Sequence, residues 1–190
     1  VGSEMCIRDS HRIVYKGNAS SSFLSLSEPE DKLLVINSSS KSFNMTGWRV
    51  GWITHPEYLG EHIAKLVQIS TTGVPEFIQK GFIEALKNHE FLVEDVMKNL
   101  HVSRDFVYNK MKHWTKLKIN KPESAFYFFF KANDAKDSIS FCKNLIKKTQ
   151  VGLAPGVAFG KTGDNFLRLC FAADVKFLGK ILNRLEEEFN

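Results

Sequence analysis

The sequence holds three cysteines, five prolines and no long apolar run, and each shortage narrows the possibilities. Cys6, Cys142 and Cys170 have no metal-ligand spacing and are too few for a disulfide framework, so a reducing compartment is expected, most simply the cytoplasm. No stretch approaches the roughly 18 apolar residues of a membrane span, and the N-terminus lacks the charged-then-apolar layout of a secretory signal. The 26 basic residues exceed the 21 acidic ones by five, but the lysines are scattered. No basic stripe or reader motif is visible, so nucleic acid is not an expected partner. His11, His55, His62, His89, His101 and His113 form no i, i+4 ligand pair with an acidic third partner, and no metal is expected. Internal repeats are absent too, and the serine triplets at 20–22 and 38–40 are too short to be low-complexity tracts.

What is present is a hydrophobic fraction of 43% in 190 residues, enough for a core. Residues 1–10, VGSEMCIRDS, show no periodicity and read as a non-native leader, whereas IVY at 13–15 starts a plausible strand. DKLLVINSSSK has the short apolar run of a buried parallel strand, Leu33 to Ile36, ending in serines. That end of a strand is where open α/β sheets bind ligands. GWIT at 51–54 reads as a second strand, and Pro56 suits the first turn of a helix with Leu59, Ile63, Leu66 and Val67 on one face.

Ile78, Phe82 and Leu86 mark another helix, and a stripe from Val93 through Val96, Leu100, Ser103, Val107 and Met111 to Trp114 marks a helix long enough to bridge two domains. The expected division lies within it: 11–104 as one domain, 105–190 as a small α+β domain. In the latter, SAFYFFF is an aromatic strand and Phe141, Cys142, Leu145 and Ile146 lie on a helix. VGLAPGVAFG is turn-rich, NFLRLCFA is a strand, and Phe177 to Phe189 carry a closing helix.

The cations of INSSSKSFNMTGWRVGW are unexplained by loop structure alone. Lys41 offers a primary amine suited to joining a carbonyl, Ser38 and Ser40 flank it with hydroxyl donors, and Arg49 supplies a planar fork suited to a phosphate dianion. Taken singly, Lys41 also fits a solvated loop lysine. Converging, these groups suit a molecule with both an aldehyde and a phosphate, and pyridoxal phosphate is such a molecule. Further on, Phe166, Arg168 and Cys170 share one face of a strand, so Arg168 points from an otherwise apolar surface and needs a partner. An ion pair with an internal acid is its bland explanation.

At these residues the chain resembles a known family. SSSKSFNMTGWRVGW is similar to the lysine motif of class I and II aminotransferases, the fold-type-I pyridoxal-phosphate enzymes. PESAFYFFF resembles the family's Pro-x-Gly-Ala-Phe-Tyr strand, VGLAPGVAFG its Pro-Gly-x-x-Phe-Gly turn, and NFLRLCFA its Arg-Leu-Ser-Phe-Ala strand. The likeness runs from about His11 to the end. It implies an α/β fold: the C-terminal part of the family's large domain at 11–104, followed by the small domain. It further implies pyridoxal 5'-phosphate as cofactor, with Lys41 its covalent anchor, Ser38 and Arg49 its phosphate ligands and Ser40 a helper. Arg168 would clamp the α-carboxylate of an amino-acid substrate. The implied reaction moves an amino group from an amino acid, of aspartate or aromatic type, to a 2-oxo acid in a homodimer.

Other outcomes share this lysine and arginine, namely a fold-type-I lyase or synthase and a cofactor-sensing regulator with an upstream DNA-binding module. Two departures from the family pattern stand out. Ser124 replaces the glycine before Ala-Phe-Tyr, where positive φ would be freer. The family's Asp-Glu-x-Tyr strand, aligned through IVYKG, would put its aspartate at Ile7 and its tyrosine at Ser10. Its pyridine-pairing aspartate, its asparagine and its glycine-rich phosphate loop would all lie upstream, so the chain is expected to be a truncated, inactive fragment.

Overall fold

A computed structural model describes residues 4–8, 10–17 and 21–190, and the chain divides into two compact units, Val1–Val96 and Met97–Asn190.

The first unit is built on a three-stranded sheet of order β1-β2-β3, with β1 at Glu4–Arg8, β2 at Leu33–Ser38 and β3 at Gly51–Thr54. The run Leu33 to Ile36 pairs parallel with β1, as its unbroken apolar character suggests, and β2 pairs antiparallel with β3 from Val35 to Ser38. Part of the segment read as a leader therefore takes a place in the sheet, Ile7 lying opposite Ile36. IVY does not form the expected strand: Val14 makes a single bridge, while Ile13 is buried. Gly51 stands opposite Ser38, where a Cβ would come within 2.5 Å of the Asn37 carbonyl oxygen, so a side chain there would push β3 off β2.

Pro56 precedes a short 3-10 turn at Glu57–Leu59, which leads into α1, Gly60–Thr71. The face expected to be apolar on α1 buries nothing: Leu66 is 65% exposed and Val67 38%. Next come α2, Glu76–Lys87, and α3, His89–Met111. On α2 the buried residues are Phe82 and Ala85, with Ile78 half-buried; Ala85 rather than Leu86 completes the stripe, because 3.6 residues per turn brings positions 78, 82 and 85 to one side. Phe82 and Ala85 form a small core with Phe43, Met45 and Val50, joined by Leu92 and Val93 from the start of α3.

The second unit has an antiparallel sheet of order β4-β5-β7-β6: β4 Leu117–Lys118, β5 Tyr127–Ala132, β6 Ala154–Pro155 and β7 Phe166–Cys170. Two helices complete it, α4 at Ser138–Thr149 and α5 at Val175–Phe189. Asp137 caps α4 by accepting from the amides of Ile139 and Ser140, and Asp174 caps α5 by accepting from Phe177. Strand alternation divides the sheet sharply. Phe128, Phe130, Leu167 and Leu169 are buried on one face, and Leu178, Leu182, Leu185 and Phe189 of α5 are buried in the same unit. Phe189 meets Phe130 edge-on at 6.0 Å. Each such side chain contributes about 1.5–3 kcal/mol by leaving water. The opposite face carries Tyr127, Phe129, Phe166 and Arg168.

Within this unit α3 buries Leu100, Ser103, Arg104, Val107 and Met111 and ends there; Trp114, the last residue of the expected stripe, is buried beyond the helix. Arg104 is a buried cation, and it is partnered: Nε donates to Asp105 at 2.9 Å and Nη1 to the Pro122 carbonyl at 3.3 Å. Lys121 also pairs with Asp105, at 2.9 Å.

Candidate active site

The segment between β2 and β3 is closed at its neck. The amide of Ser39 donates to the Val50 carbonyl at 3.2 Å, and the fully buried Ser39 hydroxyl donates to the same oxygen at 2.9 Å. Beyond this neck the chain turns at once. The Phe43 amide donates to Ser39 and the Asn44 amide to Lys41, both at 3.2 Å, with Asn44 left-handed at φ 53°. Lys41 thus sits half-buried on a tight turn directly past the end of β2.

Ser38 closes the strand itself, and its hydroxyl oxygen accepts from the Ser40 amide at 3.1 Å, which leaves the hydroxyl proton to donate elsewhere. Ser40 therefore enters the arrangement through its backbone. Arg49 ends the 3-10 turn Thr46–Trp48 in left-handed geometry, φ 54°, which for a residue with a Cβ costs on the order of 1 kcal/mol. Its Nη1 donates to the Thr46 carbonyl at 2.9 Å, and the guanidinium is exposed.

Apolar residues interleaved with these polar ones anchor the loop to α2. Phe43 meets Phe82 edge-on at 5.9 Å, and Trp52 packs on Phe82 at 5.6 Å. Trp48 lies so close over Gly81 that a Cβ there would be 2.5 Å from the indole. Trp48 and Trp52 are accordingly packing residues. Ser38, Lys41 and Arg49 lie outside the core cluster that holds the loop. A hydroxyl and a guanidinium near one sheet end, with a primary amine on the turn between them, fit a ligand carrying a phosphate and an aldehyde.

Arg168 belongs to the second unit. It lies on β7 opposite Phe129 of β5, on the half-open face of the sheet. Among the described residues no carboxylate pairs with it, so the ion pair considered from sequence is not found there. Instead its Cζ lies 4.3 Å from the ring centre of Tyr127 and 4.0 Å from that of Phe159. Phe159 comes from the Pro-Gly turn, whose shape depends on glycine. A Cβ on Gly156 would lie 2.2 Å from the Gly163 carbonyl oxygen and 2.5 Å from that of Phe166. Before Tyr127 the chain turns with positive φ at Ala125, 59°, and not at Ser124, so the serine in place of the family's glycine meets no such demand.

With the fold and both groups of residues described, the class is clear. The sequence model for aminotransferase class I and II matches residues 11–185, and the chain belongs to that family. It is 34% identical over 170 residues to the aspartate aminotransferase of Thermotoga maritima, covering 89% of this chain and 43% of that protein. To aromatic-amino-acid aminotransferase 2 of Thermococcus litoralis it is 30% identical over 177 residues, 92% of this chain and 45% of the relative. The crystal structure of the aromatic aminotransferase from Pyrococcus horikoshii superposes with a TM-score of 0.88 at 28% identity, over 97% of this chain and 50% of that one. The chain therefore spans less than half the length of these curated relatives. Its fold is the mixed α/β fold of the C-terminal half of fold-type-I aminotransferases.

The sequence pattern singled out Ser38, which ends β2, and Lys41 and Arg49, which lie between β2 and β3. It did not single out Ser39, Gly81, Tyr127 or Phe159, whose parts depend on partners distant along the chain.

Proposed function

We propose that these 190 residues form part of a pyridoxal-phosphate-dependent aminotransferase that transfers an amino group from an amino acid of aspartate or aromatic type to a 2-oxo acid. The first unit then belongs to the cofactor-binding large domain and the second to the small domain. The observation that carries this reading is the closed loop between β2 and β3. The Ser39–Val50 bonds and the Ser38–Gly51 pairing keep a hydroxyl, an amine and a guanidinium at one sheet end.

Pyridoxal phosphate, when bound, supplies an aldehyde for the amino group and a ring that accepts electrons from the substrate's Cα. The roles of this chain follow from its side chains. Ser38 donates its hydroxyl proton to the phosphate, and Arg49 opposes the phosphate charge with its remaining N–H groups. Lys41 would be the residue that anchors the cofactor through its amine; once the substrate's amino group has displaced it, that amine would be free to take the proton from the substrate's Cα and deliver it away from that carbon. Arg168 binds the substrate's α-carboxylate with its N–H edge. The complete protein works as a cytoplasmic homodimer in this reading, and the 190 residues alone support little or no turnover because relatives are about twice as long.

The test is covalent trapping. The chain is incubated with pyridoxal phosphate, reduced with borohydride and mapped by peptide mass spectrometry. Adduct concentrated on Lys41, and lost in Lys41→Arg, is the expected result. An even spread over exposed lysines would overturn the assignment. The amino-transfer reaction itself is measured on a protein of the relatives' full length, with aspartate and an aromatic amino acid as donors.

A further inference from the structure

On the open face of the second unit's sheet Arg168 lies among rings. Phe129, opposite Arg168, stacks on Phe166 at 5.0 Å with planes 8° apart and meets Phe159 edge-on at 6.0 Å. Tyr127 and Phe159 lie against the guanidinium itself. Phe129 and Phe159 are 45% and 49% exposed, so this is a surface and not a core. Arginine on such a surface has many rotamers to choose among, and something must select one.

A carboxylate partner would select one by neutralising the charge, and an incoming substrate would then have to displace it. A ring face attracts the cation through its quadrupole and leaves the charge intact. A ring stacked on a guanidinium occupies its flat side, whereas carboxylates are bound in plane by the N–H edge. The two demands do not compete.

We propose that Tyr127 and Phe159 are positioning residues for Arg168: they set the guanidinium plane and leave its N–H edge and full charge for a substrate carboxylate. This rests on the reading of Arg168 as the carboxylate-binding residue. It explains why residues 127 and 159, each in a motif of its own, matter to residue 168. Gly156 contributes indirectly, by letting the turn that carries Phe159 settle against the backbone of Gly163 and Phe166.

The experiment uses the full 190-residue chain labelled with 15N-arginine, its Arg168 Nε–Hε signal identified by loss in Arg168→Gln, and 3-phenylpropionate as the carboxylate probe. The expected wild-type signal is moved upfield by ring currents, and the probe shifts it in a saturable way. Tyr127→Leu and Phe159→Leu should each reduce that upfield displacement and weaken probe binding roughly 3- to 5-fold, the size of one exposed cation–ring contact. Tyr127→Phe, which keeps the ring, should behave as wild type, and thermal unfolding of each variant controls for general damage.

Probe binding that needs Arg168 but is equally tight in both leucine variants would overturn the positioning role and leave the carboxylate reading intact. A probe that leaves the Arg168 signal unmoved in the wild-type chain would overturn the carboxylate reading and this inference with it.

Discussion

Ser39 buries its hydroxyl against the carbonyl of Val50, 2.9 Å away, and so closes the loop that carries Lys41 and Arg49. The serine sits between two others, Ser38 and Ser40, yet it alone of the three is fully buried. Ser39→Ala removes one hydrogen bond while the backbone amide of residue 39 still serves the same oxygen. A loss of about 1 kcal/mol in denaturant unfolding is expected. Trapping of pyridoxal phosphate at Lys41 should fall with it, since the neck of the loop is looser. Unchanged trapping would show that the neck does not position the amine.

Gly81→Ala sets two effects against each other. Alanine gains about 1 kcal/mol over glycine in a helix interior, but its Cβ would meet the indole of Trp48 at 2.5 Å. Trp48 is 43% exposed and has room to swing outward. Stability is therefore expected to change by less than about 1 kcal/mol, while tryptophan emission shifts to the red as the ring loses its seat. The shift should be absent when the same change is made in a Trp48→Phe background.

Gly156→Ala has no such escape, because the atoms it meets are backbone carbonyl oxygens of Gly163 and Phe166. Destabilisation of roughly 3 kcal/mol or more is expected. Circular dichroism during thermal unfolding measures it. Gly160, which has open space around it but positive φ, should cost less on the same substitution, about 1 kcal/mol.

Asp105 gives an acid-side dependence of stability. Partial burial raises its pKa, but hydrogen bonds and charge from Lys121 and Arg104 outweigh this and hold the carboxyl below its ordinary value of 3.8. With the folded value below the unfolded one, its contribution is fully present above about pH 5 and is lost as pH falls below 4 through the folded value. The carboxylate is nearly half exposed, so solvent screening keeps the effect to about 1 kcal/mol at most. Asp105→Asn should flatten the stability curve between pH 5 and pH 2, measured by urea unfolding; a parallel curve would rule the residue out.

Much of the fold is legible from period alone. The aromatic run in SAFYFFF and the apolar run in NFLRLCFA foretell β5 and β7, and the stripe from Val93 to Trp114 foretells α3. The readings that changed did so for reasons of packing. IVY has strand composition, yet Val14 makes only one bridge, while EMCIR, with no evident pattern, pairs along β2. Leu66 and Val67 have the spacing of a buried face on α1, but among the described residues nothing buries them. Periodicity reports which faces can be covered and not whether a neighbour is there.

The candidate site divides along the same line. The amine, hydroxyls and guanidinium from Ser38 to Arg49 follow from the sequence by itself, because they lie within twelve residues and their chemistry is local to one loop. Which serine closes that loop, and which glycine seats Trp48, followed only from the tertiary structure. So did the placing of Arg168 against the rings of Tyr127 and Phe159, with no acid paired to it among the described residues. Those relationships join residues distant along the chain, and strand register and close backbone approach decide them, neither of which a single segment's composition encodes.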